Sequence, residues 1–178
     1  TLAKNHSVKR VLYTSSGAIY GRQNTKNKDS NEADKPILPI SPYGQAKYLC
    51  EHKFLNECSE NNIELNIARC FAFLGAYLPL NGPFAAGNFL SNVLNNEDIL
   101  IQGDGQPLRS FMYMTELCHW LFTLLTDKEN GHIINVGSDE VVSIKTLANV
   151  IAQENKKSEV IKKGSIDPDQ PIHKYIPD

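Results

Sequence analysis

The chain has 178 residues, 41% apolar and 21% charged, with eighteen basic side chains against twenty acidic ones. That length leaves room for one ordinary core, and the composition is globular rather than disordered, fibrous or coiled-coil. The balanced charge offers no basic field to nucleic acid or anionic lipid, no apolar run is long enough to span a bilayer, and residues 1–10 lack a signal-peptide core.

The first apolar run, residues 8–13, is rich in β-branched and aromatic side chains and opens into Thr14, Ser15, Ser16 and Gly17. It reads as a buried strand ending in a small-residue loop. Residues 22–39 are polar with late prolines and read as an exposed loop. Ser41 followed by Pro42 is a helix start, and the helix is expected to run to about Asn61 with an apolar stripe of Ala46, Leu49, Cys50, Phe54 and Leu55. Residues 63–74 read as a strand covered on both faces. Strand, helix, strand is the parallel α/β pattern.

Beyond Gly75 the expected elements are shorter. A loop over 76–87 precedes a helix over 88–95, and strands at 99–102 and 109–114 flank Gly103, Asp104 and Gly105. A helix over 116–126, a strand over 132–136, a helix over 144–154 capped by Ser143 and a short strand over 159–163 follow. Cys50, Cys58, Cys70 and Cys118 form no CxxC pair, and the five histidines add no zinc spacing. Free thiols in a reducing compartment, with the cytoplasm as the default location and no metal, are the expectation.

Tyr43 and Lys47 lie four residues apart and share one helix face. A cation beside a phenol favours the phenolate, which makes a tyrosine usable as a general base. The spacing alone is common by chance. Its context is more telling, because the pair opens a helix that follows a strand ending in Thr14, Ser15 and Ser16, and parallel sheets bind ligands beyond their carboxyl ends. Ser16 reads equally well as a hydrogen-bond partner for a substrate oxygen and as a cap for the turn at Gly17.

The ordered segments TSSGAIYG, SPYGQAK, IARCFAFLGA, GDGQPLRSFMYMTE and INVGS resemble the extended short-chain dehydrogenase/reductase superfamily, in its NAD-dependent epimerase/dehydratase branch acting on nucleotide sugars. The resemblance implies an α/β fold: the C-terminal part of a Rossmann-type doubly wound parallel sheet plus a smaller mixed α/β substrate-binding lobe. Residues 1–75 would be the second half of the NAD(P)-binding domain. Residues 76–178 would be mainly the lobe, with 110–138 a candidate return to the Rossmann sheet. Tyr43 would be the catalytic base, Lys47 would bind the nicotinamide ribose, and Ser16 would complete the triad and touch substrate. Ser15, Tyr43 and Lys47 would line the NAD or NADP site. Arg109 would contact the nucleotide diphosphate, a role suited to a guanidinium fork, against the plainer reading of an ion pair with Glu116. Asn135 reads as holding a turn.

The departures from the family pattern point further. Where dehydratases carry an acidic pair after the triad Ser/Thr, this chain has Gly17 and Ala18, so an epimerase or keto-reductase is favoured over a 4,6-dehydratase. The family's Asn in the Arg-x-Phe-Asn segment is Ala72 here, and Asn88 is a candidate replacement against a helix N-cap. The family's Gly-rich dinucleotide loop is not among these residues, so the chain reads as a fragment, inactive alone, of a protein that forms a homodimer when complete. A non-catalytic nucleotide-binding relative is a weaker alternative. A serine hydrolase at Ser15 or Ser16 is weaker still, because no Gly-x-Ser-x-Gly elbow is present.

Overall fold

The computed structural model describes residues 6–24, 39–129, 131–155 and 158–177. Most of the exposed loop expected over 22–39 lies outside the described residues. Strand β1 (Arg10–Ser16), β3 (Glu64–Cys70) and β8 (Ile133–Val136) form a parallel sheet in the order β1-β3-β8. Ser16 stands opposite Cys70 at its carboxyl end. The middle strand is buried on both faces, as a sheet covered by helices on either side requires.

Helix α1 (Pro42–Glu60) covers one face, where Cys58, Leu65 and Ile67 pack together with Tyr13 and Phe54. Helix α3 (Met114–Thr126) covers the other through Leu117 and Leu124 against Ala68, Cys70 and Val136. The polar Asn66 is tolerated inside because its amide donates to Leu124 O at 2.7 Å and accepts from His132 N at 3.0 Å.

The stripe expected on α1 is corrected by the structure. Leu49 and Leu55 are exposed, as are Ala46 and Cys50, while Gly44, Glu51 and Cys58 are buried. The inward face carries polar groups because the sheet supplies their partners, which hydrophobic periodicity does not register. Cys58 is buried against the sheet and Cys50 is exposed.

Two strands expected from sequence, over 63–74 and 109–114, are each broken. The first stops at Cys70 and resumes as β4 (Phe73–Leu74), and the second divides into β6 (Leu108–Ser110) and β7 (Met112–Tyr113). The chain there changes sheets, with β4 pairing β7 in parallel and β6 joining the lobe. The lobe packs α2 (Ala85–Leu94) and α4 (Ile144–Gln153) on β5 (Ile99–Ile101) around Phe89, Ile99, Ile101, Leu147 and Ile151. Strand β10 (Val160–Lys162) pairs β5. Ser143 caps α4 by accepting from Thr146 N at 3.0 Å.

Three short elements carry no sequence signal of their own: β2 (Gln23–Asn24), β9 (Val141–Ser143) and β11 (His173–Tyr175). They join β6 in a second sheet ordered β2-β11-β6-β9. All three are too short for periodicity to accumulate.

Candidate active site

The site forms where β1 ends and α1 begins. Ser41 accepts from Gly44 N at 3.0 Å and Pro42 opens the helix, which sets the first turn of α1 over the carboxyl edge of the sheet. Gly44 permits the close approach, since a Cβ there would lie 2.5 Å from Ala18 O. Lys47, one turn on, donates to Thr14 O at 2.7 Å. Its ammonium is 5.8 Å from the Tyr43 ring centre and 5.2 Å from that of Tyr13. One of the three Lys47 protons is thus committed to the strand and two are left for a ligand. Tyr43 is 58% exposed, and no hydrogen bond joins it to Ser16 among the described residues.

Ser16 is buried, and its hydroxyl accepts from Ala18 N at 3.2 Å, capping a 3₁₀ turn over Gly17–Tyr20. It also lies 3.2 Å from the Tyr175 hydroxyl, contributed by β11 from 159 positions away. Tyr175 stacks at a tilt on Phe71 with ring centres 4.9 Å apart, and its hydroxyl is 3.5 Å from Cys70 O. Burial pushes the Tyr175 phenol up. Nothing in the local sequence announces Tyr175, which lies on a three-residue strand between Pro171 and Pro177.

Ser15 points to the opposite face from Ser16, as neighbours on a strand do. It is buried, and among the described residues its hydroxyl has no hydrogen-bond partner. A buried hydroxyl left without a partner fits a polar ligand such as the carboxamide of a nicotinamide cofactor.

Arg109 stands on β6 in register with Tyr175 on β11. Burial pulls its guanidinium down, with the nearby Tyr175 acting in the other direction. It donates to Leu108 O at 2.7 Å, and no ion pair with Glu116 forms. At the other end of β11, His173 lines an open cleft of about 300 Å3 together with Gly103, Asp104, Pro107, Gly164 and Ser165. Strand β11 therefore reaches from Tyr175, beside both Ser16 and Arg109, to the cleft at His173.

Asn88 sits in the second turn of α2, whose N-cap is Phe84. With its amide nitrogen turned inward, it donates to Leu80 O and Gly82 O at 3.1 Å each, and so it ties down the preceding loop. Asn135 joins a buried network instead of a turn. Arg69 grips Glu51 through two bonds of 2.8 and 3.1 Å and donates to Tyr20 OH at 3.1 Å, which donates to Asn135 at 2.8 Å. Burial opposes the Arg69 charge, but the bonds to Glu51 and Tyr20 outweigh it and push the guanidinium up.

This arrangement, a tyrosine and lysine on the first helical turns above a strand-end serine in a parallel sheet, is that of a short-chain dehydrogenase-like fold. The chain belongs to the NAD dependent epimerase/dehydratase family, whose profile matches residues 1–137. UDP-glucuronic acid decarboxylase 6 of Arabidopsis thaliana is 27% identical over 166 residues, which are 91% of this chain and 48% of that protein. A UDP-N-acetylglucosamine 4-epimerase from Methanobrevibacter ruminantium, solved with UDP-N-acetylmuramic acid, superposes with a TM-score of 0.82 at 26% identity, covering 99% of this chain and 56% of the other. The UDP-glucose 4-epimerase of Thermotoga maritima, solved with UDP-glucose, gives a TM-score of 0.84 at 25% identity with the same coverage. The chain spans about half the length of the relatives it matches.

Proposed function

We propose that the complete protein is an NAD(P)-dependent nucleotide-sugar epimerase or keto-reductase that transfers hydride at a sugar carbon. The observation that carries this reading is Lys47, anchored to Thr14 O at the sheet's carboxyl edge beneath the exposed Tyr43 ring, with Ser16 two residues further along the strand. Residues 1–75 supply the second half of the cofactor domain, 110–138 return to its sheet through α3 and β8, and the rest of 76–178 forms the substrate lobe. The reducing cytoplasm suits its four free cysteines, and among the described residues no helix is long and apolar enough to cross a membrane.

The cofactor, when bound, supplies a hydride acceptor and donor next to the sugar carbon. The chain's own residues handle the proton and the orientation. Tyr43 removes the proton from the sugar hydroxyl as the carbon is oxidised and gives it back as the carbonyl is reduced. Lys47 orients Tyr43 and keeps two protons for ribose hydroxyls. Ser16 donates to the reacting oxygen. Arg109 meets the diphosphate, and the cleft at His173 receives the nucleoside, so that the substrate lies along β11. Ser15 is the proposed partner for the cofactor carboxamide. Asn88 acts on substrate through the loop it holds.

Removal of water by an acidic pair after Ser16 is disfavoured. A Cβ at Gly17 would lie 2.6 Å from the Phe71 ring, so even the space for an acid there is filled. Oxidation at C4 also makes a 6-carboxylate a β-keto acid, so a decarboxylase relative shares the same opening step. A homodimer is proposed through the outward face of α1, where Ala46, Leu49 and Leu55 are exposed.

The complete gene product should be incubated with NAD or NADPH and a panel of UDP- and dTDP-sugars, following nicotinamide absorbance and sugar configuration by NMR. Turnover of one of these sugars is expected. Tyr43→Phe should then lower kcat about 100-fold or more with KM little changed; near-normal kcat would overturn the assignment.

A further inference from the structure

The geometry points to Tyr175 as a positioning residue that makes Ser16 an obligate hydrogen-bond donor toward the substrate, an inference that rests on the function proposed above. A serine hydroxyl has one proton to donate and two lone pairs to accept with. One lone pair of Ser16 is occupied by Ala18 N–H at 3.2 Å. The Tyr175 hydroxyl lies at the same distance on another side, and its alternative acceptor, Cys70 O, is farther away at 3.5 Å. With Tyr175 donating, both lone pairs of Ser16 are filled. Its proton is then left to point at the open carboxyl edge of the sheet.

That polarity matters for the chemistry. The substrate hydroxyl must give its proton to Tyr43 while the C–O bond becomes a carbonyl. A Ser16 free to accept would compete with Tyr43 for that proton, whereas a Ser16 held as donor stabilises the oxygen as it gains carbonyl character. The tyrosine is well placed to impose this. It is half-buried, its ring rests on Phe71, and β11 holds it in register with Arg109. One strand thereby sets the triad serine and aligns it with the proposed diphosphate contact.

The test is a double-mutant cycle in the complete gene product, using NAD or NADPH and the UDP- or dTDP-sugar that the wild type turns over. Tyr175→Phe keeps the ring and removes only the hydroxyl. It should lower kcat about tenfold, the effect of one neutral hydrogen bond, with KM and melting temperature unchanged. Ser16→Ala should lower kcat about 100-fold. The double variant should match Ser16→Ala alone, because Tyr175 acts through Ser16. Tyr175→Phe with wild-type kcat, or a double variant whose loss is the product of the two single losses, overturns the inference while leaving the functional reading intact. A Tyr175→Phe that melts early in both backgrounds makes the tyrosine a packing residue and also overturns it. A wild type that turns over nothing in the panel refutes the functional reading, and this inference with it.

Discussion

At the scale of single residues, the group with most at stake outside the proposed triad is Glu51. It is 2% exposed and holds the equally buried Arg69 by two hydrogen bonds. Both charges are tolerated because each is the other's partner, and the Tyr20 hydroxyl accepts a further guanidinium N–H. Glu51 lies one helical turn beyond Lys47, so the pair clamps α1 to β3. Glu51→Ala strands the arginine in the interior and should cost about 3–5 kcal/mol in urea unfolding of the complete protein. Replacing both residues with apolar side chains of similar size (Glu51→Leu with Arg69→Met) should recover much of that loss. A double variant no more stable than Glu51→Ala would show that packing rather than charge pairing sustains this contact.

At the scale of elements, the decisive feature is how closely α1 approaches the turn after β1. Gly44 is required there for space: an added Cβ would meet Ala18 O at 2.5 Å and the Pro39 side chain at 3.0 Å. A backbone carbonyl cannot swing aside as a flexible side chain does, so the helix would have to lift. Gly44→Ala should therefore lower stability by about 1–3 kcal/mol despite alanine's better helix propensity. Because Tyr43 and Lys47 ride on the same helix, on either side of Gly44, kcat should fall as well, even in preparations that remain folded at the assay temperature. Melting curves and steady-state kinetics on one preparation check both. Retained kcat would show that the site tolerates a displaced helix.

For the molecule as a whole, buried weak acids set the response to alkaline pH. Burial pushes the Cys70 thiol up to about 11, with the Lys47 charge partly offsetting it; burial raises Cys58 as well. An unfolded thiol releases its proton near pH 8.5. Between that value and 11 the unfolded chain binds fewer protons than the folded one, so stability falls as pH rises. The contribution is fully present below about pH 8.5 and is lost by pH 11, at a cost of about 3 kcal/mol for Cys70. Tyr20 and Tyr175, raised by burial, act in the same sense at higher pH. Urea midpoints measured from pH 7 to 11 should drop, and Cys70→Ala should flatten the drop between pH 8.5 and 10.

Local chemistry made much of the protein legible from its residues alone. A cap followed by proline located α1, Tyr43 and Lys47 fell on one helical face by spacing, and apolar runs located β1, β3 and β8. The order of the motifs carried the family, which no single motif could. The tertiary structure alone decided what depends on partners far along the chain. Glu51 is buried because Arg69, 18 positions on, meets it in the folded state, whereas hydrophobic periodicity turned the helix the other way. Tyr175 enters the site from 159 positions away on a three-residue strand, too short to leave a periodic trace. The 178-residue length, first read as room for one ordinary core, is instead divided between a sheet-centred core and a separate lobe core. Periodicity records the burial of apolar surface, while hydrogen-bond partners brought together across the chain leave no local imprint.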